Sequence, residues 1–465
     1  MTDKEKEVSA PSRTRSRPIA SASLESGEQI ELIYNPKARQ TAFAVWKEDE
    51  CRIEKSCKLD TGELVIPYSA NNNLIRHNVV LLPFGPDDYE SETTLLSDIR
   101  SYIHRYVDVS ERFEKIAAYY VLLTWIYDAF NELPYLRLRG DYGSGKTRFL
   151  LTVGALCYMP TYASGASTVS PLFHTLDAFR GTLLMDEADF RFSDEKAEII
   201  KILNNGNIRG MPVLRTEVTR HREYNPRAFN VYGPKIICTR GSYNDRALES
   251  RFITEEMGHR RLRRDIPLNL PSRYEEEALA LRNKLLMFRF RMRASAVPVP
   301  EIVDRRIEPR LNQMFAPLMA IIQDEQFQEE LRDLARSYHQ NIVAERGMDV
   351  EAQLLQVIRH LMHHASRPNI RIKDITAAFV EHYAEEYERA ISNKWIGGII
   401  RRKLNLETRK SAGNYVIPIT EAPKLDALYD RYGITSEEIV EASSDDVTFE
   451  AVDNGAVGDV DGRVA

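Results

Sequence analysis

Cysteine is scarce. The chain has four in 465 residues, Cys51, Cys57, Cys157 and Cys238, and no two stand at the CxxC spacing of a structural zinc site or a redox dithiol. A disulfide scaffold is excluded, and reduced intracellular thiols are expected. Long apolar runs are also missing: no stretch approaches the roughly 18 residues of a membrane span, and residues 1–28 hold no apolar signal core. No membrane partner and a cytoplasmic location are therefore expected. There is no internal repeat. An excess of positive charge is lacking as well, with 63 Lys and Arg against 69 Asp and Glu, a net −6 that argues against nucleic acid when taken whole. The average conceals a tail. From Glu437 to Ala465 there are nine acids and one base, a charge of −8, so residues 1–436 carry +2. Deleting that tail is expected to tighten DNA binding at low salt if it competes for basic faces elsewhere.

What is present is globular: 43% hydrophobic and 28% charged residues over a length that allows several domains. Residues 1–28 read as a disordered leader of Ser, Pro and charge. Short β-prone runs (IELIY, TAFAVW, ELVIPY, NVVLLPF) separated by turn residues make 29–90 a small β-rich domain. Helical spacing of Leu95, Ile99, Ile103 and then Ile116, Tyr119, Leu123 makes 91–133 a helical connector. Strands and helices alternate over 134–265, as in an α/β nucleotide-binding core. Helices follow over 266–345, then a compact segment over 346–435, and 436–465 is the acidic disordered tail.

The sequence PYLRLRGDYGSGKTRFLL holds Gly140, Gly145, Lys146 and Thr147 in the spacing GxxxxGK[ST], after a β-prone run and before a helical pattern. Glycines let backbone N–H groups wrap a polyphosphate, and the following helix adds its positive end. Lys146 meets the β/γ oxygens, Thr147 ligates Mg2+, and Gly143, Ser144 and Arg148 complete the ATP-binding loop. Forty positions on, GTLLMDEADF delivers Asp186 and Glu187 at the end of an apolar strand. Asp186 is expected to hold the Mg2+ with Thr147, and Glu187 to polarise the attacking water.

A third strand, Pro234–Cys238, ends in Thr239 and Arg240 and is followed by NDRALESRFI. In this order the motifs resemble the AAA+ ATPases. The resemblance implies that Thr239 senses the γ-phosphate, that Arg251 is an arginine finger acting on a neighbouring subunit with Arg246 as its understudy, and that Arg310 contacts nucleotide in the same subunit from a helical lid. It also implies a homo-oligomer, a hexamer by family habit. Between the acidic pair and the third strand lies a β-prone hairpin whose tip, Glu217 to Pro226, carries Arg220, His221 and Arg222. A basic hairpin at this place resembles the pore hairpin of ring-forming replicative helicases, of the superfamily-three and minichromosome-maintenance types, and the whole stretch from about residue 134 resembles the helicase-like ATPases of plasmids, phages and integrative elements. Single-stranded DNA in a central pore is the partner this implies.

In 346–435 a helix, a second helix capped by Ser392, and two β-prone runs around Ser411-Ala412-Gly413-Asn414 follow winged-helix order. Lys394, Arg401, Arg402, Arg409 and Lys410 give its second helix and wing a basic face suited to duplex DNA. Gly397-Gly398 disfavours that helix by about 1 kcal/mol per glycine. The expected fold class is thus α/β: an AAA+ P-loop ATPase core with a helical lid, a small β-rich N-terminal domain and a C-terminal winged-helix domain. The expected activity is an ATP-dependent, DNA-translocating motor, a ring helicase for a mobile element. An ATP-switched DNA-binding regulator or assembly factor without unwinding activity is the alternative.

Overall fold

The computed structural model describes residues 16–434, apart from 166, 189–193, 217–225, 244, 259–261, 297–303, 348, 365–368, 385, 386, 388 and 389, and without the side chains of 194–196, 345, 347 and 364. The chain divides into two compact units, residues 1–335 and 336–465.

The first unit is organised by five parallel strands in the spatial order Phe252–Glu256, Tyr135–Arg139, Lys235–Thr239, Leu183–Asp186 and Thr161–Ser164. Parallel sheets are covered on both faces, so their strands need apolar residues on both sides. That need is visible in the central strands, where every residue of Lys235–Thr239 and the first four of Tyr135–Arg139 are buried. The strand Tyr135–Arg139 leads through the loop 140–145 into the helix Lys146–Gly154, whose C-terminal glycine lies against the strand Leu183–Asp186. A Cβ at Gly154 would stand 2.4 Å from Leu184 Cδ1, so the close approach of helix to sheet requires glycine there. The helices Val169–Phe179 and Asp194–Asn205 supply Phe173, Leu176, Ile199, Ile202 and Leu203 to a core shared with Leu183, Met185 and Ile237. Because the chain crosses from the second position in the sheet to the far edge and returns, Thr239 stands between the loop at Gly140 and the carboxylate of Asp186. All five strands end on the same edge, where ligands of open α/β sheets bind.

Four antiparallel strands, Ser21–Ser23, Gln29–Asn35, Gln40–Lys47 and Glu50–Glu54, form an N-terminal sheet in chain order. The helix Glu111–Ile126, buried on nearly every side, and the long helix Arg273–Met292 join it to the parallel sheet. One ionic cluster ties the three together. Arg289, 2% exposed, donates to Glu31 Oε1 at 2.6 Å and to both oxygens of Asp128 at 2.9 and 3.0 Å, and it lies over the Tyr158 ring. Burial works against the Asp128 carboxylate, but Arg289 and Arg293 hold it below the usual carboxylate range.

In the second unit the helices Val350–His364, Ile372–Tyr383, Asn393–Arg402 and Ala422–Tyr432 enclose a core that includes Leu355, Ile358, Ile375, Phe379, Ile396 and Ile400. Beside them lies a three-stranded sheet in the order Ile370–Arg371, Asn414–Ile417, Arg409–Ser411. Ser392 caps the helix Asn393–Arg402 by accepting from Trp395 N at 3.3 Å. Gly397 and Gly398 are buried in that helix, and a Cβ at Gly398 would meet the Arg402 guanidinium at 2.8 Å. The glycines let Arg401 and Arg402 fold back along their own helix.

Candidate nucleotide site

The loop after the strand Tyr135–Arg139 is shaped by three glycines in backbone conformations that other residues rarely adopt. Gly140 has φ +155° and its absent Cβ would lie 2.5 Å from Met257 O; Gly143 and Gly145 have φ of +76° and +94°. Gly140 N donates to Thr239 O at 3.2 Å, which fixes the loop to the neighbouring strand tip. Ser144 Oγ donates to Asp141 O at 2.7 Å, closing the turn. Lys146 folds back over the loop, its ammonium donating to the carbonyls of Gly140 and Asp141 at 2.6 and 2.7 Å. Thr147 Oγ1 donates to Asp186 Oδ2 at 2.6 Å, so the two expected Mg2+ ligands meet directly. Glu187 follows with φ +53°, its N–H turned onto Asp186 Oδ1 at 2.9 Å and its side chain exposed.

These residues line one cleft of about 320 Å³, together with Tyr142, Arg148 and Arg240. The Arg148 guanidinium is taken by the carbonyls of Pro267 and Leu268, which pins the segment after the edge strand against the loop helix. A magnesium nucleotide fits what is present. The Thr239 hydroxyl is buried at the back of the loop with no hydrogen-bond partner among the described residues, the three glycines give the loop backbone angles that side chains rarely adopt, and the paired oxygens of Thr147 and Asp186 are hard ligands of the kind Mg2+ takes.

Arg251 and Arg310 lie elsewhere. Tyr135 N donates to Arg251 O at 2.9 Å, so Arg251 sits at the amino end of the strand whose carboxyl end carries the loop. Four residue steps, about 13 Å, separate the two ends. Arg310, expected to reach nucleotide in its own subunit, does not enter the loop cleft. It donates to Ala247 O at 2.7 Å and lines a second cleft of about 400 Å³ with Arg251, Ser250 and Glu132. Arg251 is 9% exposed, and its guanidinium is committed within its own chain: to Asn207 Oδ1 at 2.9 Å, to Asn204 Oδ1, to Asn204 O at 3.1 Å and to Ala247 O at 2.6 Å. Burial, and next the charge of Arg310, push the Arg251 guanidinium below its ordinary pKa. Arg246 opens the short helix Arg246–Glu249 at the same end and is exposed.

The arms of the predicted hairpin are present as antiparallel strands, Val213–Thr216 paired with Pro226–Phe229. Arg220, His221 and Arg222 lie outside the described residues. In the second unit Lys394, Arg401, Arg402, Arg409 and Lys410 are all exposed. Arg401 donates to Thr408 Oγ1 at 3.2 Å and lies 6.0 Å from the Tyr415 ring, itself 55% exposed, so cations and an aromatic share the hairpin face.

Sequence reasoning did not place Arg240 and Tyr142 in the lining of the loop cleft. The available signal was adjacency, since Arg240 follows the strand-tip residue Thr239 and Tyr142 occupies a variable position inside the glycine loop.

No protein-family model and no curated protein matches the chain. Among solved structures, the apo C-terminal region of NrS-1 is similar over 84% of this chain and 96% of its own, with 11% identity and a TM-score of 0.36. The SCCmec type IV Cch active helicase is similar over 88% of this chain and 80% of its own, with 12% identity and a TM-score of 0.35. Cdc6p from Pyrobaculum aerophilum covers 72% of this chain and 97% of its own, with 13% identity and a TM-score of 0.20. Among the described residues, no helix is long and apolar enough to cross a membrane.

Proposed function

We propose that this chain is an ATP-dependent DNA-translocating motor of the AAA+ type, a homo-oligomeric ring, most simply a hexamer, that unwinds DNA in replication of a mobile element. The observation that carries the reading is the polarity of the sheet: Lys146, Thr147, Asp186 and Glu187 share the cleft at its carboxyl end, while Arg251 and Arg310 share one at its amino end. A triphosphate held in the first cleft lacks an arginine from the second cleft of its own subunit, and a head-to-tail neighbour supplies it. In this reading Lys146 leaves the loop carbonyls for the β/γ oxygens, Thr147 and Asp186 hold Mg2+, and Thr239 turns its unpartnered hydroxyl to the γ-phosphate. Glu187 orients the attacking water, and Mg2+, when held by Thr147 and Asp186, would supply positive charge against that developing on the phosphates. The neighbour's guanidinium stabilises the same charge from outside. Because Arg251 is held by Asn204 and Asn207, it serves as finger only after exchanging those partners; the exposed Arg246 and the half-buried Arg310 beside it complete the trans set.

The DNA contacts are proposed at two places. Arg220, His221 and Arg222 grip the single strand in the pore. Lys394, Arg401, Arg402, Arg409 and Lys410 lie on a winged helix that meets duplex phosphates. A forked-duplex unwinding assay with Arg220→Ala/Arg222→Ala tests the motor. Loss of unwinding with ATP binding retained is expected, and absence of unwinding by wild type on every fork favours an ATP-switched DNA-binding regulator instead.

A further inference from the structure

The hairpin of the second unit carries an exposed ring to which contact with duplex phosphates gives no task. Its strands Arg409–Ser411 and Asn414–Ile417 are joined by a two-residue turn, in which Ala412 and Gly413 have φ of +47° and +80°, as tight hairpins require. Lys410 stands directly opposite Tyr415 in the register, and side chains so paired lie on one face of the ladder. Val416 and Ile417, the next two residues, are buried and fix the strand, while Tyr415 stays 55% exposed. The Arg401 guanidinium, whose carbon lies 6.0 Å from the ring centroid, donates to Thr408 Oγ1 at 3.2 Å. It occupies space that Gly397 leaves open, since a Cβ there would stand 3.3 Å from it. Charge around the ring is of one sign: residues 392–420 hold six Lys and Arg and a single acid, Glu407. One of the six, Lys403, pairs with Glu351 at 3.1 Å.

We infer that Tyr415 stacks on an unpaired base of single-stranded DNA, with Arg401 and Lys410 beside it taking the phosphates of the same strand. A flat apolar face set among cations suits a ligand that is flat and anionic at once, and a nucleotide strand is both. An apolar protein partner would instead strip water from these cations with too little acid at hand to repay it. Duplex DNA offers the phosphates but keeps its bases stacked on one another, so the ring adds nothing to duplex binding and separates single strand from duplex. The inference rests on the reading above that the second unit meets DNA, and adds which form of DNA its hairpin takes.

The test is filter binding of the full chain to an oligothymidylate of about 20 nucleotides and to relaxed closed-circular duplex, which has no unpaired end. Both are measured in an Arg220→Ala/Arg222→Ala background that removes the proposed pore contacts. Tyr415→Ala is expected to weaken single-strand binding about ten- to a hundredfold and leave the duplex within about twofold. Tyr415→Phe, which keeps the ring, is expected to stay within about twofold of the parent on both. The salt dependence of single-strand binding is expected to be unchanged in Tyr415→Ala and to fall by about one phosphate contact in Lys410→Ala. Equal loss on both DNAs in Tyr415→Ala, no loss on the single strand, or as large a loss in Tyr415→Phe overturns the stacking role and leaves the basic face a phosphate contact alone. Unchanged binding of both DNAs in Tyr415→Ala and in Lys394→Ala/Arg402→Ala/Arg409→Ala alike overturns the reading of the second unit as a DNA contact, and the inference with it.

Discussion

Lys235 opens the central strand of the sheet with its ammonium fully buried and, among the described residues, no acid in contact. Its three N–H bonds go to the carbonyls of Gly206, Val231 and Gly233 at 3.2, 3.0 and 2.9 Å, and it lies 4.8 Å from the Tyr135 ring. Burial pushes the ammonium down to about 7, against about 10.4 in an unfolded chain. Folding lowers this pKa, so between about pH 7 and 10 the unfolded chain binds the extra proton, and stability rises with pH across that window. The penalty for the buried charge is fully present below pH 7. At about 1.4 kcal/mol per pKa unit, titration between pH 6 and pH 9 recovers about two units, or about 2.7 kcal/mol. Lys235→Met removes the titrating group. Urea unfolding of wild type and Lys235→Met, followed by far-UV circular dichroism at both pH values, is expected to show the stability difference between them shifting by that amount toward wild type at pH 9. Parallel pH dependences in the two proteins would refute the reasoning, and would mean that the three carbonyls hold Lys235 charged throughout.

Three further outcomes are expected. Glu187→Gln should abolish steady-state ATP turnover while ATP binding survives, measured by phosphate release and by nucleotide binding on the same preparation. Gly140→Ala, whose new Cβ meets Met257 O at 2.5 Å, should disorder the loop and eliminate nucleotide binding, with circular dichroism still showing the native helix content. Arg289→Met leaves the buried Glu31 and the half-buried Asp128 without their main partner and should cost about 3–5 kcal/mol, read as a lowered unfolding midpoint and faster proteolysis of the N-terminal sheet.

The parts of the site that are contiguous in sequence were legible from it. Glycine spacing, the Lys146-Thr147 pair and the apolar run ending in Asp186-Glu187 each report a local backbone need, and local needs survive in one dimension. The helix Asn393–Arg402 with its Ser392 cap and the hairpin after it were legible for the same reason. What crossovers decide was not. The order of the five strands puts Arg251 at the opposite end of the sheet from Lys146, and nothing in the spacing of Leu248-Glu249-Ser250-Arg251 reports that its guanidinium is held by Asn204 and Asn207. Arg310 opens a helix, Pro309–Met319, whose start lies beside Ala247, so it joins Arg251 and not the loop. Lys235 reads as the ordinary polar start of a strand, because three carbonyls brought from 206, 231 and 233 leave no local pattern. Gly397-Gly398 reads as a weak helix, and the reason for small residues there is the folded-back Arg401 and Arg402.

The central claim is that ATP hydrolysis in the loop cleft drives movement on DNA. Its most direct test is the steady-state ATPase rate of the full chain with no DNA, with single-stranded DNA and with duplex DNA at one low salt concentration. A motor predicts turnover that rises severalfold with its track and falls back in Arg220→Ala/Arg222→Ala, while an ATPase rate indifferent to both forms of DNA would contradict the account.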